Sequence, residues 1–220
     1  TAGSTSRTIN VTLNGDTTVE ADETFFLTLG SVTGATIDDG SATGTILNDD
    51  LPALSIADAS TTEGDSGSKT LAFTVSLSQP AIAPVSFDLA TSNGTATAGS
   101  DYVALSLPAQ VIPAGQSSAS FNVTINGDTT VEANETFTLA ASNVTGATVA
   151  DGSATGTITN DDAPRVSIAD ASTTEGNSGS KTLSFTVSLD QPGTSTVSFG
   201  VTSSNGTATA GSDYAAVNLS

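Results

Sequence analysis

Two adjacent carboxylates, Asp161 and Asp162, follow the alternating run Thr155–Thr159 after Asn160 and stand just before Ala163-Pro164. Side by side at a strand exit, they repel each other unless a cation or full hydration relieves them. Asp128 and Glu132, four residues apart in a Thr-rich stretch, could grip one ion from two sides. Carboxylate oxygens suit calcium, a hard cation that takes about six to eight of them and tolerates loose geometry, better than magnesium, which demands stricter geometry. Paired carboxylates can also act as acid and base in glycoside hydrolysis. Here they cluster on loops beside a linker, in a chain with 5% aromatic residues to hold a sugar, so no enzyme is expected. The plainer alternative is a hydrated acidic loop cluster that aids solubility.

Composition narrows the partners. Of 220 residues, 23 are acidic and four are basic (Arg7, Lys69, Arg165 and Lys181), for a net charge of -19. Nucleic acid and anionic membrane surfaces both require a basic footprint that is missing here. There is no Cys or His, which removes disulfides, thiol chemistry and a histidine base. No apolar run reaches the roughly 18 residues of a membrane helix. The sequence begins within a repeat, so the lack of a leader carries no meaning.

The elements that position the acids come from a repeat. Ser55–Ser60 recurs at Ser167–Ser172, Ser92–Tyr102 at Ser204–Tyr214, and Gly15–Glu20 at Gly127–Glu132, each 112 residues apart. That period is the size of a small domain. One whole module is expected over 52–163, between the C-terminal half of one copy (1–51) and the N-terminal half of another (164–220). A half-module cannot bury a core by itself, so head-to-tail completion by identical chains is expected.

Within the module, apolar residues alternate: Leu54 and Ile56; Leu71, Phe73, Val75 and Leu77; Val85, Phe87 and Leu89; Phe121, Val123 and Ile125; Phe137 and Leu139. A period of two reads as half-buried strands. Seven are expected, over 53–58, 70–77, 84–90, 105–112, 117–126, 136–142 and 154–159, giving an all-β, immunoglobulin-like antiparallel β-sandwich. Tyr102 is expected in the core with its hydroxyl hydrogen-bonded. If successive strands run up and down, Glu63, Asp65, Asp101, Asp128, Glu132, Glu135, Asp161 and Asp162 all fall at one end. Asp151 falls at the other, and Asp58 and Asp88 on strands.

Thr62-Glu63-Gly64, the run Gly94–Tyr102, Gly127-Asp128 through Glu132-Ala133-Asn134-Glu135-Thr136-Phe137, and Asn160-Asp161-Asp162 together resemble the Calx-β domain, across the middle module and both flanks. The resemblance implies an immunoglobulin-like sandwich that binds calcium where the chain leaves it. The implied ligands are Glu63, Asp101, Asp128, Glu132, Asp161 and Asp162. In the flanks they are Asp16, Glu20, Asp49 and Asp50, without upstream partners, and Glu175 and Asp213, without downstream ones. Calcium-rich members carry longer acid runs where this chain has Gly127 and Asn160, which implies fewer ions or weaker binding. Glu135, opening a strand, is expected to serve a local hydrogen bond instead.

The expected role is a calcium-rigidified spacer in a secreted bacterial surface, adhesin or filament protein, extracellular and bound to neighbouring modules. The alternatives are a calcium-sensing regulatory module, or an adhesive module that binds host glycan or protein.

Overall fold

The computed structural model describes residues 3–220; residues 1 and 2, where the first expected unit starts, lie outside it. Its fifteen strands are β1 (Glu23–Thr28), β2 (Ser41–Ile46), β3 (Ala53–Ile56), β4 (Ala59–Thr62), β5 (Gly67–Leu77), β6 (Val85–Asn93), β7 (Ser106–Ile112), β8 (Ser118–Gly127), β9 (Glu135–Thr145), β10 (Thr148–Asp151), β11 (Ser153–Thr159), β12 (Val166–Ile168), β13 (Val187–Leu189), β14 (Val201–Thr202) and β15 (Asn218–Leu219). In the middle module they form two facing sheets, ordered β10-β3-β5-β8 and β4-β11-β9-β6-β7. Among the described residues, the flanks hold only two-stranded pairs, β1-β2, β12-β13 and β14-β15.

The alternating residues explain the layers. Leu71, Phe73, Val75 and Leu77 of β5 are buried, and so are Val85, Phe87 and Leu89 of β6 across the interior. Phe137 lies at its centre, edge-on to Phe73 at 5.9 Å and stacked on Tyr102 at 4.4 Å. Burying such rings is the main force holding the sheets together. The Tyr102 hydroxyl donates to Asn93 Oδ1 at 2.7 Å, as a buried phenol requires.

Two features depart from the expected strand pattern. The first strand does not run on to residue 58: β3 ends at Ile56, and β4 crosses to the other sheet, where it lies parallel to β11. Asp58 marks the crossover, its Oδ1 accepting Thr155 N at 2.7 Å. The stretch expected as one loop over 143–153 contains β10, which pairs parallel to β3. Asn143 (φ 51°) and Gly146 (φ 79°) adopt left-handed conformations there, letting β9 run on and turn into β10. One edge of each sheet is thus formed by a short parallel pairing, while the other strand pairs of the sandwich are antiparallel.

In the flanks, residues matching the middle core stand open. Phe185 is 57% exposed where its counterpart Phe73 is 0% exposed, and Leu13 is 53% exposed where Ile125 is 0%.

Candidate metal centre

Strand register brings four segments to one pole. Thr62 at the end of β4 lies opposite Thr159 at the end of β11, Gly67 at the start of β5 opposite Gly127 at the end of β8, and Glu135 opposite Ile158. Glu63 follows β4, Asp101 sits in the β6–β7 connection, Asp128 and Glu132 lie in the β8–β9 loop, and Asp161 and Asp162 follow β11.

Glu63 is the innermost of them. It is 6% exposed, the one charged residue buried among those described. Its amide donates to Thr159 O at 3.3 Å, but burial and neighbouring charge alone govern its carboxyl. Desolvation first, then Glu132, Asp128, Asp162 and Asp161, push its pKa up to about 7. The next residue, Gly64 (φ 82°), donates its amide to Asp161 Oδ1 at 2.8 Å. That hydrogen bond is the main reason the Asp161 carboxyl is held below its ordinary range. Lys69 Nζ stands 3.6 Å from Asp161 Oδ2 and donates to Thr62 Oγ1 at 2.6 Å. Asp162 has a buried Oδ2 with no hydrogen-bond partner. Burial, followed by Asp65, Asp161 and Asp128, raises its pKa.

A second group adjoins the first. Asp101, Glu132 and Glu135 each place a carboxylate oxygen within 4.8 Å of the other two. Asp101 is set by its loop: its Oδ2 accepts Thr97 N at 2.6 Å, its carbonyl accepts Asn126 N at 2.9 Å, and the buried Tyr102 follows it. Burial and then Glu132's neighbours Asp101, Asp128 and Asp162 raise the Glu132 pKa. Asp128 Oδ1 accepts Thr130 N at 2.6 Å, and its hydrogen bonds to Thr130 lower its pKa.

Glu135, expected to serve a local hydrogen bond rather than to join the ligand set, stands in this trio. Burial, then the Asp101 charge, pushes its pKa up to about 7. The signal available in the sequence was its place as the first residue of a strand that rises from an acid-bearing loop.

The two non-acidic positions also have structural explanations. A Cβ on Gly127 would fall inside the van der Waals envelope of the Gly64 carbonyl oxygen and crowd Glu63 O, so a residue with a side chain would push the Glu63 segment away. Asn160 ties the exit together: its Oδ1 accepts Glu132 N at 3.1 Å, its Nδ2 donates to Asp162 O at 3.0 Å, and its amide donates to Asn134 Oδ1 at 3.1 Å.

The flanks repeat parts of this. Asp16 Oδ1 accepts Thr18 N at 2.7 Å, Glu20 N donates to Asn48 Oδ1 at 3.2 Å, and Asn48 Nδ2 donates to Asp50 O at 3.0 Å. Glu23 first, then burial, Asp16 and Asp50, raise the Glu20 pKa. Asp213 Oδ2 accepts Thr209 N at 2.8 Å, as Asp101 does from Thr97. Asp49 and Glu175 are exposed. Among the described residues, only the middle module gathers three carboxylates closely enough to share an ion.

Fold and site thus define a class: an immunoglobulin-like β-sandwich that collects acidic side chains where one module hands the chain to the next. The chain belongs to the Calx-beta domain family, whose model matches residues 1–50, 54–163 and 159–220. Similar solved structures include CBD12 from CALX1.2 (22% identity, TM-score 0.44, covering 50% of this chain and 45% of that one). Another is the apo-form Calx CBD1 domain (20% identity, TM-score 0.43, covering 51% of this chain and 100% of that one). A third is the calcium binding domain CBD12 of CALX1.1 (21% identity, TM-score 0.42, covering 50% and 44%). This chain therefore spans less than half the length of the first of these. No curated protein sequence matches it significantly.

Proposed function

We propose that this chain is a calcium-binding structural repeat, a non-catalytic spacer outside the cell whose joints stiffen when the acidic pole takes up calcium. The observation that carries the reading is Glu63: a carboxyl in the sandwich end, 6% exposed, facing acids from the other converging segments. Burying such a group without a partner is costly, and a cation would relieve that cost. The orphaned Asp162 Oδ2 points the same way. Every side chain in the set offers hard oxygen, which fits calcium. Glu63, Asp101, Asp128, Glu132, Asp161 and Asp162 would hold it, with Glu135 beside Asp101. When bound, the ion supplies positive charge that cancels the repulsion at the pole. Asp161 and Asp162 would then tie the linker before Pro164 to three loops of the preceding module. The calcium-binding relatives and a net charge of -19 support this reading.

Ligand that binds only the folded state stabilises it, by about 2.7 kcal/mol at a hundred times the dissociation constant. Thermal melts in chelator and in millimolar calcium should differ by several degrees, and Asp161→Ala should shrink the difference. Identical melting curves in both would overturn the reading.

A further part of the proposal is that identical chains complete one another. In the middle module β5 pairs with β8, setting Leu71 against Val123 and Phe73 against Phe121. The matching residues Leu183 and Phe185 of one flank, and Ile9 and Val11 of the other, are exposed. Residues 164–220 of one copy and 1–51 of the next would close a sandwich from the same pairs. Sedimentation equilibrium should give masses that rise with concentration; a strictly monomeric chain would overturn this part.

A further inference from the structure

At the joint after the middle module, Gln191 reaches back to the preceding acidic pole with both ends of its amide. Its Nε2 donates to Thr129 O at 2.7 Å, and its Oε1 accepts Val131 N at 3.2 Å. Those two backbone groups are two residues apart, so the side-chain amide bonds them as the N–H and C=O of one residue in a parallel strand would. At the joint before the module, 112 residues earlier, Gln79 Nε2 donates to Thr17 O at 3.4 Å. The same side chain lands on the same loop at both joints.

Each glutamine is held at a fixed distance from its linker. Asp190, next to Gln191, accepts Arg165 N on its Oδ1 at 2.8 Å and donates its amide to Arg165 O at 3.1 Å. Ser78, next to Gln79, donates its amide to Ala53 O at 2.8 Å and accepts Ala53 N on its Oγ at 3.0 Å. The gripped residues alternate with those fixed from elsewhere. Thr130 N is capped by Asp128, and Glu132 N is taken by Asn160 of the linker. Between loop and linker lies a crevice of about 330 Å³ whose lining includes Asp65, Thr129, Asp161, Asp162, Arg165 and Gln191.

We propose that Gln191, and Gln79 at the earlier joint, is the latch through which the acidic pole of one module sets the orientation of the next. It is a positioning residue: its partners are backbone atoms, so it reads the shape of the 127–135 loop rather than its side chains, and any copy of the repeat fits. The latch itself rests on geometry alone. Its response to calcium rests on the proposed function, because the loop it grips runs between Asp128 and Glu132.

The chain has no cysteine, so Ser120→Cys with Ser195→Cys allows clean spin labelling on either side of the joint in the full chain. Double electron–electron resonance should show a narrow distance component, sharpened by calcium. Gln191→Ala should lose it. Gln191→Glu should lose it too, because a carboxylate would set an acceptor against Thr129 O and add charge to the crevice that Asp161 and Asp162 also line. Calorimetric calcium titration of the same Gln191→Ala sample should match the wild type, which separates the latch from the ligands. A narrow component that survives in Gln191→Ala, or a wild-type distribution that is already broad, overturns the latch. A wild type that binds no calcium, yet loses its narrow component in Gln191→Ala, keeps the latch and overturns the calcium reading.

Discussion

Metal-free protein should become more stable as the pH is lowered from about 8 to about 5.5, the reverse of ordinary acid denaturation. Glu63 has its pKa raised from 4.5 to about 7, chiefly by burial and then by Glu132. Between those two values the folded chain keeps the Glu63 proton while the unfolded chain has released it. The folded state therefore binds more protons, and stability falls as the pH rises through the window. Only the part of the shift between about pH 5.5 and about 7 is traversed, so at about 1.4 kcal/mol per pKa unit the ceiling for Glu63 over this window is roughly 2 kcal/mol. Hydration of the exposed neighbours Asp128 and Asp161 screens this to about 1 kcal/mol. For a domain of this size that corresponds to a Tm shift of roughly 4–8 °C. Glu135, also raised to about 7, acts in the same direction. The lowered carboxyls of Asp16, Asp88, Asp128 and Asp161 stabilise the fold above their unfolded pKa, and that contribution is lost only at more acid pH. The assay is a circular-dichroism melt in chelator at both pH values, for the wild type and for Glu63→Gln. Glu63→Gln should raise the Tm at the alkaline pH and reduce the pH response. An apo Tm that stays level or falls on acidification, or a Glu63→Gln response as large as the wild type's, would refute the argument.

Calcium affinity, measured by titration calorimetry, should weaken as the pH falls below about 7, because protons on Glu63 and Glu135 compete with the ion. Gly127→Ala should destabilise the fold by about 1–3 kcal/mol, read by denaturant melts, since the Gly64 carbonyl leaves no room for a Cβ. Tyr102→Phe should cost about 1 kcal/mol, because the 2.7 Å bond to Asn93 is lost while the ring stays on Phe137. Its calcium affinity should fall with it, because Tyr102 anchors the segment that holds Asp101.

The alternation in β5, β6 and β8 made the sandwich legible, because a strand with one buried face writes its period directly into the chain. The acidic pole could be read for the same reason: strand direction alone sorts the loops between two ends. What escaped was local. β4 leaves one sheet for the other after Asp58, and no periodicity marks such a switch, since Ala59–Thr62 carries small and polar residues on both faces. β10 (Thr148–Asp151) was hidden because Asn143–Gly146 reads as a turn, whereas Asn143–Thr145 belongs to β9 and the chain bends only at Gly146 before a further strand. The place of Glu135 beside Asp101 and Glu132 is not legible either, because the sequence shows only that it opens β9.

Gly127 and Asn160, the two non-acidic positions of the pole, show how it can work with fewer charges. Each further carboxylate there would add repulsion to a pole that already raises Glu63 and Glu135 to about 7. Glycine instead lets the Glu63–Gly64 backbone press against the end of β8, and asparagine binds Glu132 and Asp162 through its side-chain amide and Asn134 through its backbone N–H. The linker is thus already ordered by neutral hydrogen bonds. An ion bound there would have less chain to immobilise, and less conformational entropy to overcome. With the exit held by Asn160 and the facing loop held by Gln191, the joint is shaped before any charge is neutralised, which is what a repeat needs if each copy is to pass the same geometry on to the next.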